Sequence, residues 1–171
     1  MTINFHALKA IYFHEMDRFK RTLTQSLLSP ILSTSLYFIV FGSVIGGYVQ
    51  KIDGISYGSY IVPGLLMLTL LTQSISNTSF GIFFPKFNGT IYEILAAPIS
   101  TFEIVLAFVS AGATKTLIVG TVIFITASFF VDVEVQFPLL MIFLLILVSF
   151  TFALFGFLIG ILSKDFEQMS I

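Results

Sequence analysis

Lys86-Phe87-Asn88-Gly89-Thr90-Ile91-Tyr92-Glu93-Ile94-Leu95-Ala96-Ala97-Pro98-Ile99-Ser100 is a polar island between two long apolar runs, each rich enough for a membrane. The island has a start, a short helix and a stop. Asn88-Gly89 is a turn signal, and Thr90 followed three residues later by Glu93 matches the S/T-x-x-E capping box. Ile91, Ile94 and Leu95 then fall on one face of a helix. Pro98 ends it, because its ring forbids the helical hydrogen bond and biases Ala97 away from helical geometry. A loop that only joined two spans needs no helix of its own.

Composition bounds the class. Hydrophobic residues make up 57% of the chain, charged residues 10%, and mean hydropathy is +1.03. Soluble domains carry about a quarter charged residues, so the chain reads as an integral membrane protein embedded in a lipid bilayer. A net charge of -1 argues against nucleic acid as a partner. Without cysteine there is no disulfide framework and no thiolate nucleophile or metal ligand.

Spans follow from length. A membrane helix needs about twenty apolar residues. Leu27 to Tyr48 supplies the first, with Pro30 in its opening turn, and Ile61 to Phe84 the second. The third is interrupted by Lys115, and a lysine at mid-membrane costs about 3 kcal/mol on insertion scales. Its hydrocarbon part is therefore expected to begin near Thr116, with residues 101–115 as a helical entry from the island. Pro138 to Leu162 is the fourth. Tyr48, Tyr57 and Tyr60 are the expected interface anchors of the loop between the first two spans.

Before the spans, Phe5, Leu8, Tyr12, Met16, Phe19 and Leu23 form one helical stripe, flanked or opposed by His6, Lys9, Glu15, Asp17, Arg18, Lys20 and Arg21. Such a helix lies in the headgroup region or packs on the protein from the cytoplasm. The predicted fold is all-α: this amphipathic interfacial helix plus a polytopic bundle of four transmembrane helices.

Within the spans, Gly42-x-x-x-Gly46 and Gly156-x-x-x-Gly160 read as close helix-packing sites, with a hinge in a moving helix as the alternative. Thr69, Gln73, Ser76 and Asn77 fall close to one face of the second span. Polar groups in lipid need partners, so this face is expected to look inward, bonding other helices or lining a substrate path. His6 and His14 read as surface residues. There is no P-loop, no acidic or histidine pair in a span and no G-x-S-x-G elbow, so neither catalytic, metal nor cofactor residues are assigned.

Three stretches carry a resemblance. Gly89 to Ser100 resembles the "G-T-x-x-E-x-L-x-x-P" cytoplasmic loop of ABC-2 type permeases, the membrane subunits of ATP-driven bacterial exporters. Tyr60-Ile61-Val62-Pro63-Gly64 resembles that family's "Y-x-x-P-G" opening of the second span. Ser163 to Ile171 resembles the short loop before its fifth. The resemblance implies a coupling helix, with Gly89, Thr90, Glu93, Leu95 and Pro98 as its residues, seated on a separate ABC ATPase subunit. It also implies a second permease chain, a bacterial inner-membrane location, and export of a drug, lipid or polysaccharide. Since the family has about six spans, residues 1–171 read as one ABC-2 transmembrane domain, incomplete at its C-terminal end. A non-transport membrane scaffold, or a subunit of a membrane enzyme complex, is the alternative.

Charge gives the direction. Lys9, Arg18, Lys20 and Arg21 precede the first span, Lys86 lies in the island and Lys164 follows the fourth, while Lys51 stands alone opposite, with Asp132 and Glu134. By the positive-inside rule the N-terminus and the island are cytoplasmic. Single cysteines replacing Asp53 or Glu134 should react with an impermeant thiol reagent applied to intact cells. A cysteine replacing Asn88 should be protected, and labelling of that position with Glu134→Cys silent reverses the orientation.

Overall fold

The computed structural model of the chain describes residues 4–41, 51–52, 55–133 and 135–169. Six α-helices run in the order α1 (Phe5–Arg21), α2 (Leu23–Val40), α3 (Tyr57–Phe87), α4 (Ile91–Ala96), α5 (Thr101–Ser128) and α6 (Pro138–Leu162). A 3-10 turn, Phe166–Met169, follows α6. Ahead of α3, two-residue strands β1 (Lys51–Ile52) and β2 (Ile55–Ser56) pair antiparallel, Lys51 opposite Ser56 and Ile52 opposite Ile55. The architecture is an all-helical polytopic bundle with this small hairpin, and α2, α3, α5 and α6 are long and apolar enough to cross a membrane.

The helix ends have local causes. The Asn4 side chain accepts from Ala7 N–H at 3.3 Å to open α1, and Arg18, Lys20 and Arg21 complement the dipole at its close. Ser56 opens α3 by accepting from Ser59 N–H at 3.2 Å. Pro138 sits in the first turn of α6, where its missing N–H costs nothing.

Several predicted boundaries move. Helix α2 begins at Leu23 rather than Leu27, and the predicted end of the first span at Tyr48 lies outside the described residues, as do Gly42-x-x-x-Gly46 and Tyr48 itself. Helix α3 begins at Tyr57 and continues through Pro85 to Phe87, three residues past the predicted Phe84. Its Lys86 explains the extension: the ammonium donates to Ile161 O, and to Ser163 O at 2.7 Å, holding the last turn of α3 against the carbonyl end of α6. Of the expected interface tyrosines, Tyr57 is half-buried and Tyr60 exposed.

The expected helical entry over residues 101–115 is there and runs on without interruption into the apolar part, giving one helix, Thr101–Ser128, with Lys115 in its middle. Helix α1 runs beside its first half in the same direction. Asn4 meets Glu103, Tyr12 meets Thr114, Glu15 meets Lys115, and Phe19 shares a core cluster with Val119. Glu15, read as part of the polar flank, is therefore buried. Helix α1 turns Leu8, Ile11, Tyr12, Met16 and Phe19 into the protein and leaves Phe5, Lys9 and Phe13 outside.

Helices α3, α5 and α6 meet through small residues. A Cβ on Gly156 would lie 2.5 Å from Ile75 O and 2.8 Å from Ile75 Cα, and one on Gly160 would lie 2.5 Å from Ser79 O. Gly112 faces the Thr78 hydroxyl in the same way, and Gly120 faces the Leu70 side chain. Apolar side chains gain little by leaving lipid, so membrane helices associate through such close backbone approach. The packing reading of Gly156-x-x-x-Gly160 holds. Gly156→Ala should lower the thermal midpoint in detergent, an overpacking cost of about 1–3 kcal/mol against backbone that cannot yield. Gly64→Ala, with nothing within 4 Å of the added Cβ, should not.

Candidate functional site

The island keeps its predicted stop but not its predicted start. Gly89 adopts φ +79°, the left-handed turn that Asn88-Gly89 announces. Thr90 is already helical at φ -62°, ψ -20°, and its hydroxyl makes no capping bond. A capping residue needs extended geometry to aim its oxygen at the first turn, and the glycine turn delivers Thr90 wound. The Thr90/Glu93 capping box is therefore absent. An equivalent box forms ten residues later, where Ser100 is extended at φ -78°, ψ 152°. Its hydroxyl accepts from Glu103 N–H at 3.3 Å, and its own N–H donates to Glu103 Oε2 at 2.7 Å. Ser100-Thr101-Phe102-Glu103 carries the same four-residue signature, so the pattern was present in the sequence and the conformation chose between the two copies. Ala97, ahead of Pro98, is extended at ψ 152° and α4 ends there.

The expected shared face of α4 also divides. Ile91 and Ile94 pack with Ile99 against the core cluster of Ile82, Ile104, Phe108 and Phe157, whereas Leu95 is 59% exposed and Tyr92 is 74% exposed. Helical spacing puts Leu95 only about 40° round the axis from Ile91, so the seating of this six-residue helix on the bundle, not its periodicity, leaves Leu95 outside. Tyr92 and Leu95, one turn apart, form an outward apolar pair, with Thr90, Glu93 and Pro98 also exposed.

Both flanks of the island are tied to other helices. Lys86 holds α6, and Glu103 Oε1 accepts from Asn4 N–H at the start of α1. Phe166 stands edge-on to Phe83 and Phe87, with centroids at 4.9 and 5.0 Å, so the segment after α6 rests on the end of α3.

The second candidate lies in the bundle. Glu15 is 2% exposed and Lys115 3% exposed, with Nζ to Oε2 at 2.7 Å. Arg18 reaches the same oxygen at 2.8 Å, while Glu15 Oε1 has no partner among the described residues. Gly81 borders the group: a Cβ there would lie 3.4 Å from Glu15 Oε2.

The predicted polar face of α3 does not form the interior. Thr69, Gln73 and Asn77 are half-buried and Ser76 exposed, while the buried hydroxyls are those of Ser74, Thr78 and Ser79, on the side packed against α5 and α6. Thr69 donates to Leu65 O at 2.9 Å and Asn77 to Gln73 at 3.4 Å, so part of this face is satisfied within α3 itself. Ser76 and Asn77 instead line a small recess with Arg18 and Lys115. Both histidines are exposed.

The ABC-2 type transporter family pattern matches residues 6–171, almost the whole chain. The chain belongs to this family. It is 36% identical over 165 residues to the inner membrane transport permease YadH of Escherichia coli K12, covering 96% of this chain and 64% of that protein. It is 25% identical over 120 residues to nodulation protein J of Rhizobium meliloti, covering 70% of this chain and 46% of that one. This ABC-2 chain thus spans less than two thirds of the length of the curated relatives it matches. No solved structure matches it.

The buried pair can be measured. Glu15→Leu leaves Lys115 uncompensated and should destabilise the protein by about 3–5 kcal/mol in detergent unfolding. Lys115→Met should cost less, since Arg18 still answers Glu15. The double variant should recover much of the Glu15→Leu loss, and additive losses would show that the two side chains do not interact.

Proposed function

We propose that this chain is the membrane-spanning permease of an ABC-2 type exporter, driven by a separate ATPase subunit that docks on α4. One observation carries the reading. In a chain of this family, the island presents Tyr92 and Leu95 outward from a helix whose other side is fixed to α3, α5 and α6 through Ile91 and Ile94. Protein interfaces draw most of their energy from a few anchor side chains, among which tyrosine is enriched, and Tyr92 has that position here.

The mechanism is mechanical. ATP binding closes the ATPase and displaces α4. Because Ile91 and Ile94 rest in the core and Lys86 and Glu103 tie its flanks, the push reaches α3, α5, α6 and α1 together. The spans tilt, and the cavity they border changes the side it faces. Two permease chains enclose that cavity, with Thr69, Gln73, Ser76 and Asn77 of α3 on the substrate path; these side chains are not consumed in this chain's own core. The cargo is a drug, lipid or polysaccharide. The permease named YadH is an inner-membrane protein, and the same placement with a cytoplasmic N-terminus fits the charge distribution.

Leu95→Asp and Tyr92→Ala should each lower co-purification of the ATPase about tenfold or more, at unchanged membrane level. Thr90→Ala, which removes no capping bond, should leave association as in the parent. Equal ATPase recovery from all three variants would remove the coupling role from α4.

A further inference from the structure

Where α1, α2, α3 and α5 meet, a recess of about 130 Å³ is lined by Arg18, Thr22, Ser26, Ser76, Asn77 and Lys115, with Phe19 and Phe80 beside them. We infer that this recess is a binding site for a single phosphate-type oxyanion. The inference requires neither an ATPase nor transport, although Ser76 and Asn77 are shared with the proposed substrate path.

Charge supplies the first argument. Arg18 and Lys115 converge on one oxygen of one carboxylate, Glu15 Oε2, so the group holds two cations against one anion. Lys115 is 3% exposed and has one hydrogen-bonded partner, which leaves two of its three N–H donors unused among the described residues. Lys115 is buried and Arg18 partly open, its side chain 29% exposed, so the positive excess faces the recess and favours an anion there.

The lining supplies the second. Ser26 and Ser76 bring hydroxyls and Asn77 an amide with one N–H beyond the one it gives Gln73, while the Thr22 hydroxyl donates to Arg18 O and Phe19 O and can only accept; with Arg18 and Lys115, most of the polar wall can donate. A ligand that only accepts, through several oxygens on one centre, matches such a wall. That is the hydrogen-bonding character of a phosphate, and the volume takes one such group. Thr22, Ser76 and Phe80 are exposed, so the recess is open on their side. Leu28, Leu32 and Leu68 are exposed on the neighbouring helices α2 and α3. A phosphate carried on a lipid and a free phosphate share the chemistry, and only binding separates them.

The test uses the chain purified in an uncharged maltoside detergent, titrated with dioctanoyl phosphatidate, inorganic phosphate and dioctanoylglycerol. At least one phosphate-bearing probe should bind saturably, and dioctanoylglycerol, with the same tails and no phosphate, should not. Binding of phosphatidate alone assigns the site to a lipid headgroup; competition by inorganic phosphate assigns it to the oxyanion in either form. The pair Ser76→Leu and Asn77→Leu should weaken binding about tenfold, the scale of one hydrogen bond to a charged group. Asn77→Asp keeps the shape and places a carboxylate in the recess. It should abolish phosphate binding and raise the thermal midpoint of the ligand-free protein. Absence of saturable phosphate binding overturns the inference, as does equal binding of dioctanoylglycerol or parent-like affinity in Asn77→Asp.

Discussion

A lysine buried in the middle of a long apolar helix must be answered from within the protein, and in this chain Glu15 answers Lys115. The 2.7 Å bond joins residues one hundred positions apart and fixes α1 along α5. Everything at that end of the bundle follows from this placement. Asn4 comes within reach of Glu103, Tyr12 donates to Thr114 at 3.1 Å, and Phe19 completes the cluster around Leu70 and Val119. Of the two placements open to this amphipathic helix, the headgroup region or the protein itself, its inner face takes the second. Arg18 shares the same carboxylate oxygen, and Gly81, having no side chain, leaves it room.

The second constraint is the weakness of apolar attraction in lipid. Helices there stay together by fitting backbone against backbone and by satisfying polar groups internally. Helix α6 accordingly places Gly156 and Gly160 on the carbonyls of Ile75 and Ser79, and α5 places Gly112 on Thr78. Many serines and threonines inside the spans return their hydroxyls to their own helix, as Thr116 does to Gly112 O and Thr121 to Leu117 O. A polar face on a span therefore does not by itself point to the interior.

Between these two constraints sits the island. Its helix is short, six residues with no side-chain cap, and draws its position from Ile91 and Ile94 rather than from its own propensity. Short helices depend on such tertiary support. A docked partner would therefore act on a lever already joined to three spans and, through Glu103, to α1.

The sequence by itself determined the class, the number of long apolar helices, the turn at Gly89, the stop at Pro98 and the packing role of Gly156 and Gly160. These depend on length, hydropathy and local backbone chemistry, which neighbours in the chain decide. Only the tertiary structure decided which of two identical capping signatures closes, because Ser100 arrives extended and Thr90 arrives wound. It alone decided which α3 face is buried and that Leu95 points outward. It alone decided that Lys115 is buried within α5 against Glu15. That last point rests on a partner carboxylate a hundred residues away, and the electrostatic cost of a buried charge is set by what stands beside it in space.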